Sequence, residues 1–255
     1  MINSVAGYRF LLDASSWLDK WKDRLFKNFI KDDRYKYLLK GLWMTLRITF
    51  FAVLLGIALG VIVAIIRSTH DKTIKEMRPG FGKVVLKILN AIVKLYLTVI
   101  RGTPVVVQLM ITYYIIFASS TNTMLVAVLA FGINSGAYVA EIIRSGIMSI
   151  DNGQFEAGRS LGFNYVQTMI YIIIPQAIKN VLPALANEFI VLIKETSVSG
   201  YVGIMDLTRG GDVIRSRTYD AFPPLIAVAL VYLTIVVIFS KLVSMLERRL
   251  RNSER

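Results

Sequence analysis

The amino-acid sequence predicts an all-α integral membrane protein with about five transmembrane helices. Of its 255 residues, 55% are hydrophobic and only 18% are charged, and the mean hydropathy is +0.57. A soluble domain of this length needs more polar surface than such a composition supplies. Residues 48–66 and residues 221–240 contain no charged side chain, and each run is long enough to cross about 30 Å of hydrocarbon. We therefore expect these runs to be the first and last spanning helices.

The middle of the chain supplies three further apolar segments. Residues 102–140 are uncharged throughout, which is too long for one span, and the polar "SSTNT" at 119–123 predicts a turn that divides them in two. Residues 169–193 form the next apolar stretch, which four residues interrupt: Pro175, Lys179, Pro183 and Glu188. The number of predicted spans is therefore five.

The formal net charge of +13 indicates how the chain is oriented. The basic residues flank apolar runs and lack the interleaved aromatic residues of a base-stacking surface, so we expect no nucleic-acid partner. Loops rich in Lys and Arg are typical of the cytoplasmic side. Two such segments occur, a loop with Arg67, Lys72, Lys75, Arg78, Lys83 and Lys87, and a tail with Lys241, Arg248, Arg249, Arg251 and Arg255. With five spans, the N-terminus lies outside and the C-terminus in the cytoplasm.

Metal and disulfide chemistry are not expected in this chain. It has no cysteine, and its single histidine, His70, lies in the polar stretch "STHDK" with no second ligand beside it. We also expect no cleavable signal peptide, because about forty mixed polar residues precede the first apolar run.

The N-terminal region, residues 1–37, is basic but would lie on the outer side in a five-span chain. This conflicts with the usual placement of Lys and Arg on the cytoplasmic side. Its apolar residues recur at helical spacing, at Trp17, Leu18, Trp21, Leu25, Phe29 and Ile30. This pattern predicts an amphipathic helix lying on the membrane lipid surface. A solvated extension that is only partly helical is the alternative. Residues 38–255 form the predicted transmembrane domain.

The loop between the third and fourth spans contains a predicted short helix at about residues 152–162. Asp151 or Asn152 can cap its N-terminus, Gln154 has the spacing of a capping box, and Gly162 can end it in a left-handed conformation.

One side of this helix is expected to carry Phe155, Gly158 and Leu161. Because about two turns of helix are marginal alone in water, the segment must pack on the membrane domain or dock in a groove of another protein.

The sequence of this loop resembles a known signature. "EAGRSLG", followed nine residues later by "IIIP", is similar to the EAA motif of the membrane subunits of ABC importers. The matching residues are Glu156, Ala157, Gly162, Ile172 and Pro175. Gly158 replaces the second Ala of the motif, and Ile174 replaces a Leu.

Four other segments look like the polar amino acid permease branch of that family, and the resemblance covers about residue 38 to the C-terminus. They are "LLKGLWMTLRITFFAVLLGIALG" (38–60), "VIRGTPVVVQLMITYY" (99–114), "NSGAYVAEIIRSGI" (134–147) and "LPALANEFIVLIKETSVSGYVGIMDLTR" (182–209).

The resemblance implies the MetI-like fold of type I ABC importer permeases and a role as the permease subunit of an ATP-driven amino acid importer of the bacterial cytoplasmic membrane. It implies alternating access driven through a coupling helix, whose docking residues would be Phe155, Glu156, Ala157, Gly158, Arg159, Leu161 and Gly162. The implied partners are cytoplasmic ABC ATPase subunits, a second permease subunit that is a copy or a paralogue, and an extracytoplasmic amino-acid-binding protein.

The chain is not expected to be an enzyme or to hold a cofactor. It has no G-x-x-x-x-G-K-[ST] phosphate loop, so ATP and Mg are expected in the partner ATPase.

An acidic residue inside a span is the first candidate for substrate binding. Ionisable side chains cost roughly 2.5–3.5 kcal/mol at the bilayer centre, and they usually face a cavity or a partner. Glu188 follows Asn187 and lies five residues after Pro183, where a helix interruption frees a carbonyl group. By resemblance this Asn-Glu pair lies near the substrate cavity, where the carboxylate would hold an ammonium group. A Glu paired with a Lys or Arg of a neighbouring helix is the structural alternative.

Three further polar residues are candidates for the substrate path. Asn134, Tyr138 and Glu141 form a polar stripe at i, i+4 and i+7, in which Asn134 and Tyr138 are the substrate candidates and Glu141 is expected to pair with a nearby Arg. Pro104 interrupts the second span and Gln108 follows one turn later, so Gln108 could also line the path. A simple packing kink is the alternative there.

Two other functions are open from the residues alone. An ion-gradient-driven secondary amino acid transporter would show internal repeats and acids dedicated to a coupling ion. A membrane scaffold would not need polar groups inside its spans.

Overall fold

A computed structural model describes residues 17–252, and within that range the chain contains helices and no strand. The α-helices are α1 (17–25), α2 (Tyr35–Thr73), α3 (Phe81–Gly102), α4 (Val105–Ile111), α5 (Thr123–Met148), α6 (Asn152–Ser160), α7 (Tyr165–Thr168), α8 (Ile174–Glu195), α9 (Leu207–Thr218) and α10 (Phe222–Asn252). Short π-helices lie at Phe26–Ile30, Thr112–Ile116 and Met169–Ile173, and 3₁₀-helices at Lys31–Asp33 and Thr196–Val202.

Four helical segments of the described chain are long and apolar enough to cross a membrane: Tyr35–Thr73, Thr123–Met148, Tyr165–Val202 and Phe222–Leu250. The predicted all-α membrane architecture is therefore confirmed. The remaining predicted span differs, because the apolar helix there, Val105–Ile116, is shorter.

Helix α3 is missing from the sequence-based prediction, which placed its first half in a basic cytoplasmic loop. In the structure Lys83 and Lys87 lie within α3, and Arg67 and Lys72 lie within α2. Residues 74–80 alone connect the two helices. The reason is that α3 is amphipathic, with lysines spread along it, so a search for uncharged runs does not detect it. Its buried residues Val93 and Leu97 pack against α2 and α5.

Glycines bring α2 and α5 into close contact, which is the main helix packing of the domain. A methyl group on Gly56 would lie 3.0 Å from the Ser135 side chain, and one on Gly60 would overlap Val139. Two glycines at this GxxxG spacing let the helices approach closely. Helix α5 is consequently fixed along one side and carries the polar residues described below.

The same close packing recurs where α9 crosses α2. A side chain on Gly41 would overlap the backbone of Asp206, and one on Gly210 would lie 2.6 Å from the Tyr37 carbonyl oxygen. Asp206 caps α9 by accepting hydrogen bonds of 3.1 Å from the backbone N–H groups of Thr208 and Arg209. Helix α9 then leads through residues 219–221 into α10.

The predicted surface segment at 1–37 is described from residue 17 onward, and residues 1–16 lie outside the described residues. Its described part contains α1, a π-helix and a 3₁₀-helix, and it ends where α2 begins at Tyr35. The location of this segment on the membrane surface stays a prediction.

Candidate coupling helix and polar site

Helix α6 starts and stops at residues that satisfy its free backbone groups. The Asp151 carboxylate accepts a hydrogen bond of 2.6 Å from the backbone N–H of Gly153. At the other end Gly162 has φ +81°, and its N–H donates to the Arg159 carbonyl while that of Phe163 donates to Gly158. The structure therefore has the short helix, the Asp151 cap and the left-handed Gly162 that the sequence predicts.

The capping box expected at Asp151 and Gln154 is wrong. The Gln154 side-chain oxygen lies 3.4 Å from the Gln176 amide nitrogen instead. A reciprocal capping box forms at the next helix, where Asn164 and Gln167 each bond the other's backbone N–H. The same spacing rule applies at both places, but the Gln154 side chain is turned toward Gln176 of α8.

One buried aromatic side chain fastens α6 to the membrane domain. Phe155 is only 7% exposed, and it packs in a cluster with Ile147, Ile150, Ile173 and Ala177. The Lys72 ammonium group of α2 lies 4.3 Å from the centre of the Phe155 ring, and it donates a 2.8 Å hydrogen bond to Asn152. The helix is thus held between the C-terminal ends of α2 and α5 and the start of α8.

Gly158 is buried because Thr168 occupies the space that a side chain would need. A methyl group on Gly158 would lie 2.6 Å from Thr168 Oγ1 and 2.7 Å from its Cγ2. These distances are shorter than atoms tolerate without movement. The departure from the second Ala of the EAA motif therefore has a local cause, which is the close approach of the following helix.

The opposite face of α6 is exposed. Glu156, Ala157 and Ser160 are open to solvent, and Arg159 forms a 3.6 Å ion pair with Glu76 while remaining accessible. Leu161 is 70% exposed. The expectation that Leu161 shares a side with Phe155 and Gly158 is wrong, because Leu161 lies at the C-cap, where the backbone leaves the helical path.

The seven residues implied as coupling residues therefore divide between two faces. Phe155 and Gly158 point into the protein. Five point outward: Glu156, Ala157, Arg159, Leu161 and Gly162.

Apart from α6, a group of polar residues lies around the middle of α5. Gln108 of α4 belongs to this group. The chain between α3 and α4 is extended at Thr103 and Pro104, which interrupts the helix as predicted. The Gln108 amide nitrogen donates to the Ile100 carbonyl at 2.7 Å and to Thr103 Oγ1 at 2.7 Å. Gln108 thus satisfies a carbonyl group that the break leaves free.

Gln108 also contacts Asn134. Its side-chain oxygen accepts a 2.9 Å hydrogen bond from the Asn134 amide, which is only 2% exposed. The Asn134 Oδ1 atom is buried and has no hydrogen-bond partner among the described residues. The atom is closed to solvent here, and the described side chains supply no donor for it.

Glu188 is buried at 8% exposure, and its partner is a hydroxyl group. Ser135 Oγ donates a 2.8 Å hydrogen bond to Glu188 Oε1. No Lys or Arg of the described chain forms an ion pair with Glu188, so the alternative of a structural pair with a basic residue is not observed. Helix α8 also continues through Pro183, whereas the sequence analysis expected an interruption there.

The other two substrate candidates lie apart from this pair. Asn187 is exposed on the surface of α8, although it adjoins Glu188. Tyr138 is partly exposed, and the Arg101 guanidinium lies 5.7 Å from its ring centre. Glu141 forms the expected ion pair, with its carboxylate 3.1 Å from Arg144 Nη2.

Three of the five predicted substrate residues lie on α5 or form a hydrogen bond to it, at two adjacent positions that a helix sets about 100° apart. Asn134 bonds Gln108, and Glu188 bonds Ser135, the neighbour of Asn134 in the chain. Ser135 was missed by the sequence analysis, and its place beside Asn134 in "NSGAY" was the available signal. No group of His, Asp or Glu within residues 17–252 is arranged to hold a metal ion.

The contact between Gly158 and Thr168 makes a testable prediction. We expect Gly158→Ala to destabilise the docking of α6 by about 1–3 kcal/mol, since the added methyl overlaps Thr168. Tryptic cleavage after Arg159 in the detergent-purified protein should become faster. Thr168→Ala alone serves as the control, and the double variant should recover much of the protection because the overlapping atoms are gone. Equal cleavage of Gly158→Ala and the unchanged protein would contradict this packing.

Comparison with known proteins places the chain in a family. The family model for the binding-protein-dependent transport system inner membrane component matches residues 81–252. The arginine transport system permease protein ArtQ of Bacillus subtilis is 35% identical over 221 residues, covering 86% of this chain and 94% of ArtQ. The glutamine transport system permease protein GlnP of Escherichia coli is 35% identical over 218 residues, covering 84% and 93%.

Solved structures agree with this placement. The crystal structure of an amino acid ABC transporter with histidines is 43% identical, with a TM-score of 0.74, and the match covers 87% of this chain and 98% of that one. The inward-facing MetNI methionine ABC transporter has a TM-score of 0.70 at 20% identity over 85% and 97% of the two chains, which shows a shared fold. This chain belongs to the family of binding-protein-dependent transport system inner membrane components, the permease subunits of type I ABC importers.

Proposed function

We propose that this permease subunit carries an amino acid inward, and that α6 is the element through which a cytoplasmic ATPase drives it. The observation that carries the proposal is the two-faced arrangement of α6. Its inner face is fixed by Phe155 and Gly158, and its outer face is free. A helix held in this way can transmit a displacement to the membrane domain when a second protein grips its exposed side.

We infer the side of the membrane from the basic residues at the α6 end of the bundle. Lys72, in the last turn of α2, contacts α6. Lys75 and Arg78 follow in the connection 74–80, and α10 ends in the basic residues Arg248, Arg249 and Arg251. The positive-inside rule assigns this end to the cytoplasm. The N-terminus of α2 then lies outside, in a multi-pass protein of the bacterial cytoplasmic membrane.

The proposed complex contains more than this chain. ABC ATPase subunits would bind the exposed Glu156, Ala157 and Leu161, and they would hold ATP and Mg, because this sequence has no phosphate loop. A second permease subunit, a copy or a paralogue, would complete the translocation path. An amino-acid-binding protein would deliver the substrate from the outer side.

Force would reach the polar site along two helices. Phe155 packs on Ile147 near the end of α5 and on Ala177 near the start of α8. Helix α5 carries Asn134 and Ser135, and α8 carries Glu188. A movement of α6 would therefore change the relative position of α5 and α8, which hold these polar groups. Nucleotide binding would in this way switch access between the two sides of the membrane.

The ammonium group of an amino acid matches the acceptors that these buried polar residues offer. The Glu188 carboxylate offers a charge for the ammonium group, and Asn134 Oδ1 offers a further acceptor. The names of the relatives, with arginine for ArtQ and glutamine for GlnP, support an amino acid as the class of substrate. They support ATP-driven transport as well, and no observation favours the ion-gradient-driven alternative.

The role of the Glu188 charge can be separated from its hydrogen bond. Glu188→Gln keeps an acceptor for Ser135 and removes the charge, whereas Ser135→Ala keeps the charge and removes the bond. If the carboxylate holds an ammonium group, Glu188→Gln should reduce amino acid uptake into proteoliposomes by more than about tenfold, or about 1.4 kcal/mol. Ser135→Ala should reduce it less. Normal uptake by Glu188→Gln would show that the charge is not needed for transport.

Docking of the ATPase is tested by a charge reversal on the exposed face of α6. We expect Glu156→Lys to lower the amount of ATPase that co-purifies with the tagged chain, and uptake with it, by about tenfold. The side chain is exposed, so the fold should not change. Glu247→Lys, the same reversal on the exposed surface of α10 near the C-terminus, is the matched control. Equal co-purification and uptake for the two variants would argue against a docking role for α6.

A further inference from the structure

The N-terminal helices are attached to the corner between α9 and α10 by a partly buried polar contact. The Arg24 guanidinium donates two hydrogen bonds of 2.6 Å to the Asp220 carboxylate. Asn28 is fully buried, donates to the same carboxylate at 3.0 Å and accepts a 2.8 Å bond from Thr218 Oγ1. These bonds from Arg24 hold the pKa of Asp220 below its ordinary value, so the carboxylate is ionised at neutral pH. Residues 17–30, here called the N-terminal strap, therefore have a defined position.

A tight corner fixes the other end of the strap to α2. Asp32 and Asp33 have φ of 57° and 53°, in the left-handed region that few residues other than glycine occupy. Arg34 is buried and donates to the Lys27 carbonyl at 2.6 Å and to Asp32 at 2.7 Å. The strap is thus tied both to the start of α2 and to the start of α10.

An aromatic row joins the strap to the outer surface of α10. Trp17 packs on Trp21 with ring centres 5.9 Å apart, and Trp21 packs on Phe222 at 5.8 Å. Arg24 lies over Trp21, with its guanidinium carbon 4.9 Å from the ring centre. From Phe222 onward, α10 continues with exposed apolar side chains that a membrane-spanning helix turns to lipid, at Leu225, Ile226, Leu230 and Leu233.

The strap itself presents a large apolar surface that nothing in the described chain covers. Leu18, Leu25, Phe26 and Ile30 are each about half exposed or more. Three lysines of the same region have no ion pair within residues 17–252: Lys20, Lys27 and Lys31. Tryptophans beside exposed apolar residues and lysines are the composition of segments that lie at the headgroup level of a bilayer.

We propose that the N-terminal strap lies in the headgroup region of the membrane and binds phospholipid, with its apolar face on the acyl chains and its free lysines on lipid phosphates. Lipid is favoured over a protein partner because the apolar face continues directly onto the lipid-facing surface of α10. The assignment to the outer leaflet rests on the proposed orientation, whereas lipid contact does not. The strap would hold the starts of α2 and α10 at a fixed depth while other helices move.

Two labelled positions on the regular helix α1 test the proposal in the full-length protein. The sequence has no cysteine, so Leu25→Cys and Lys20→Cys can each carry a single environment-sensitive NBD dye. At 100° per residue these positions lie about 140° apart around the helix. In proteoliposomes, the dye at position 25 should emit at shorter wavelength and lose intensity when lipids spin-labelled near the glycerol are added. The dye at position 20 should show water-like emission and little loss.

Several outcomes would overturn the proposal. Water-like emission and no quenching at both positions would show that the face is solvated. A shift at position 25 without quenching by lipid would show that protein covers it, such as residues 1–16, a second copy or the binding protein. These readings require neither ATP nor uptake, so they are independent of the proposed transport activity.

The contact between Arg24 and Asp220 provides a second arm of the same experiment. Arg24→Gln, made in the Leu25→Cys protein, should reduce the lipid quenching because the strap loses its contact with Asp220. Lys22→Gln is the matched control, since Lys22 is exposed and reaches only Asp19, at 3.7 Å. Equal quenching in the Arg24→Gln and Lys22→Gln proteins would show that the Arg24–Asp220 contact does not position the strap.

Discussion

Burial of the Phe155 side chain is the interaction on which the rest of the proposed mechanism depends. A helix of nine residues has too few hydrogen bonds to persist alone in water, so α6 must gain its stability from packing. Burying one Phe contributes about 1.5–3 kcal/mol toward holding these two turns of helix on the surface. Because Phe155 supplies the anchor from one face, the residues of the opposite face stay free for another protein. The same side chain links α6 to α5 and α8, the two helices that carry the buried polar groups.

Close packing of α2 and α5 connects α6 to the polar residues in the middle of α5. Gly56 and Gly60 let α2 and α5 approach until there is no space for a side chain between them, so α5 behaves as a firm element over its length. Asn134 and Ser135 lie in the middle of that element, and its last turns contact Phe155. The polar site and the coupling helix therefore share one helix. Glu188 is attached to α5 by a single hydrogen bond from Ser135, so a shift of α8 relative to α5 would alter the environment of the carboxylate directly.

The features that sequence analysis predicted are those that local residues determine. The Asp151 cap, the left-handed Gly162 and the long apolar spans depend on neighbours in the chain, and the structure has all three. Helix α3 was missed because its lysines hide a one-sided apolar pattern. The predicted side of Leu161 was wrong because the helix ends at that residue. The predicted capping box was wrong because the Gln154 side chain lies against Gln176 of α8. The bonds of Gln108 to Asn134 and of Ser135 to Glu188 join separate helices, which sequence spacing does not encode.

Accessibility of the exposed face of α6 is the most direct measurement of the central claim, that this helix is a cytoplasmic element gripped by an ATPase. Ser160→Cys places a single thiol on that face of an otherwise cysteine-free chain. A membrane-impermeant maleimide should label this thiol in inside-out vesicles stripped of the ATPase, and added ATPase should protect it. No labelling is predicted in right-side-out vesicles. Labelling from the outer side, or labelling that the ATPase leaves unchanged, would contradict the account.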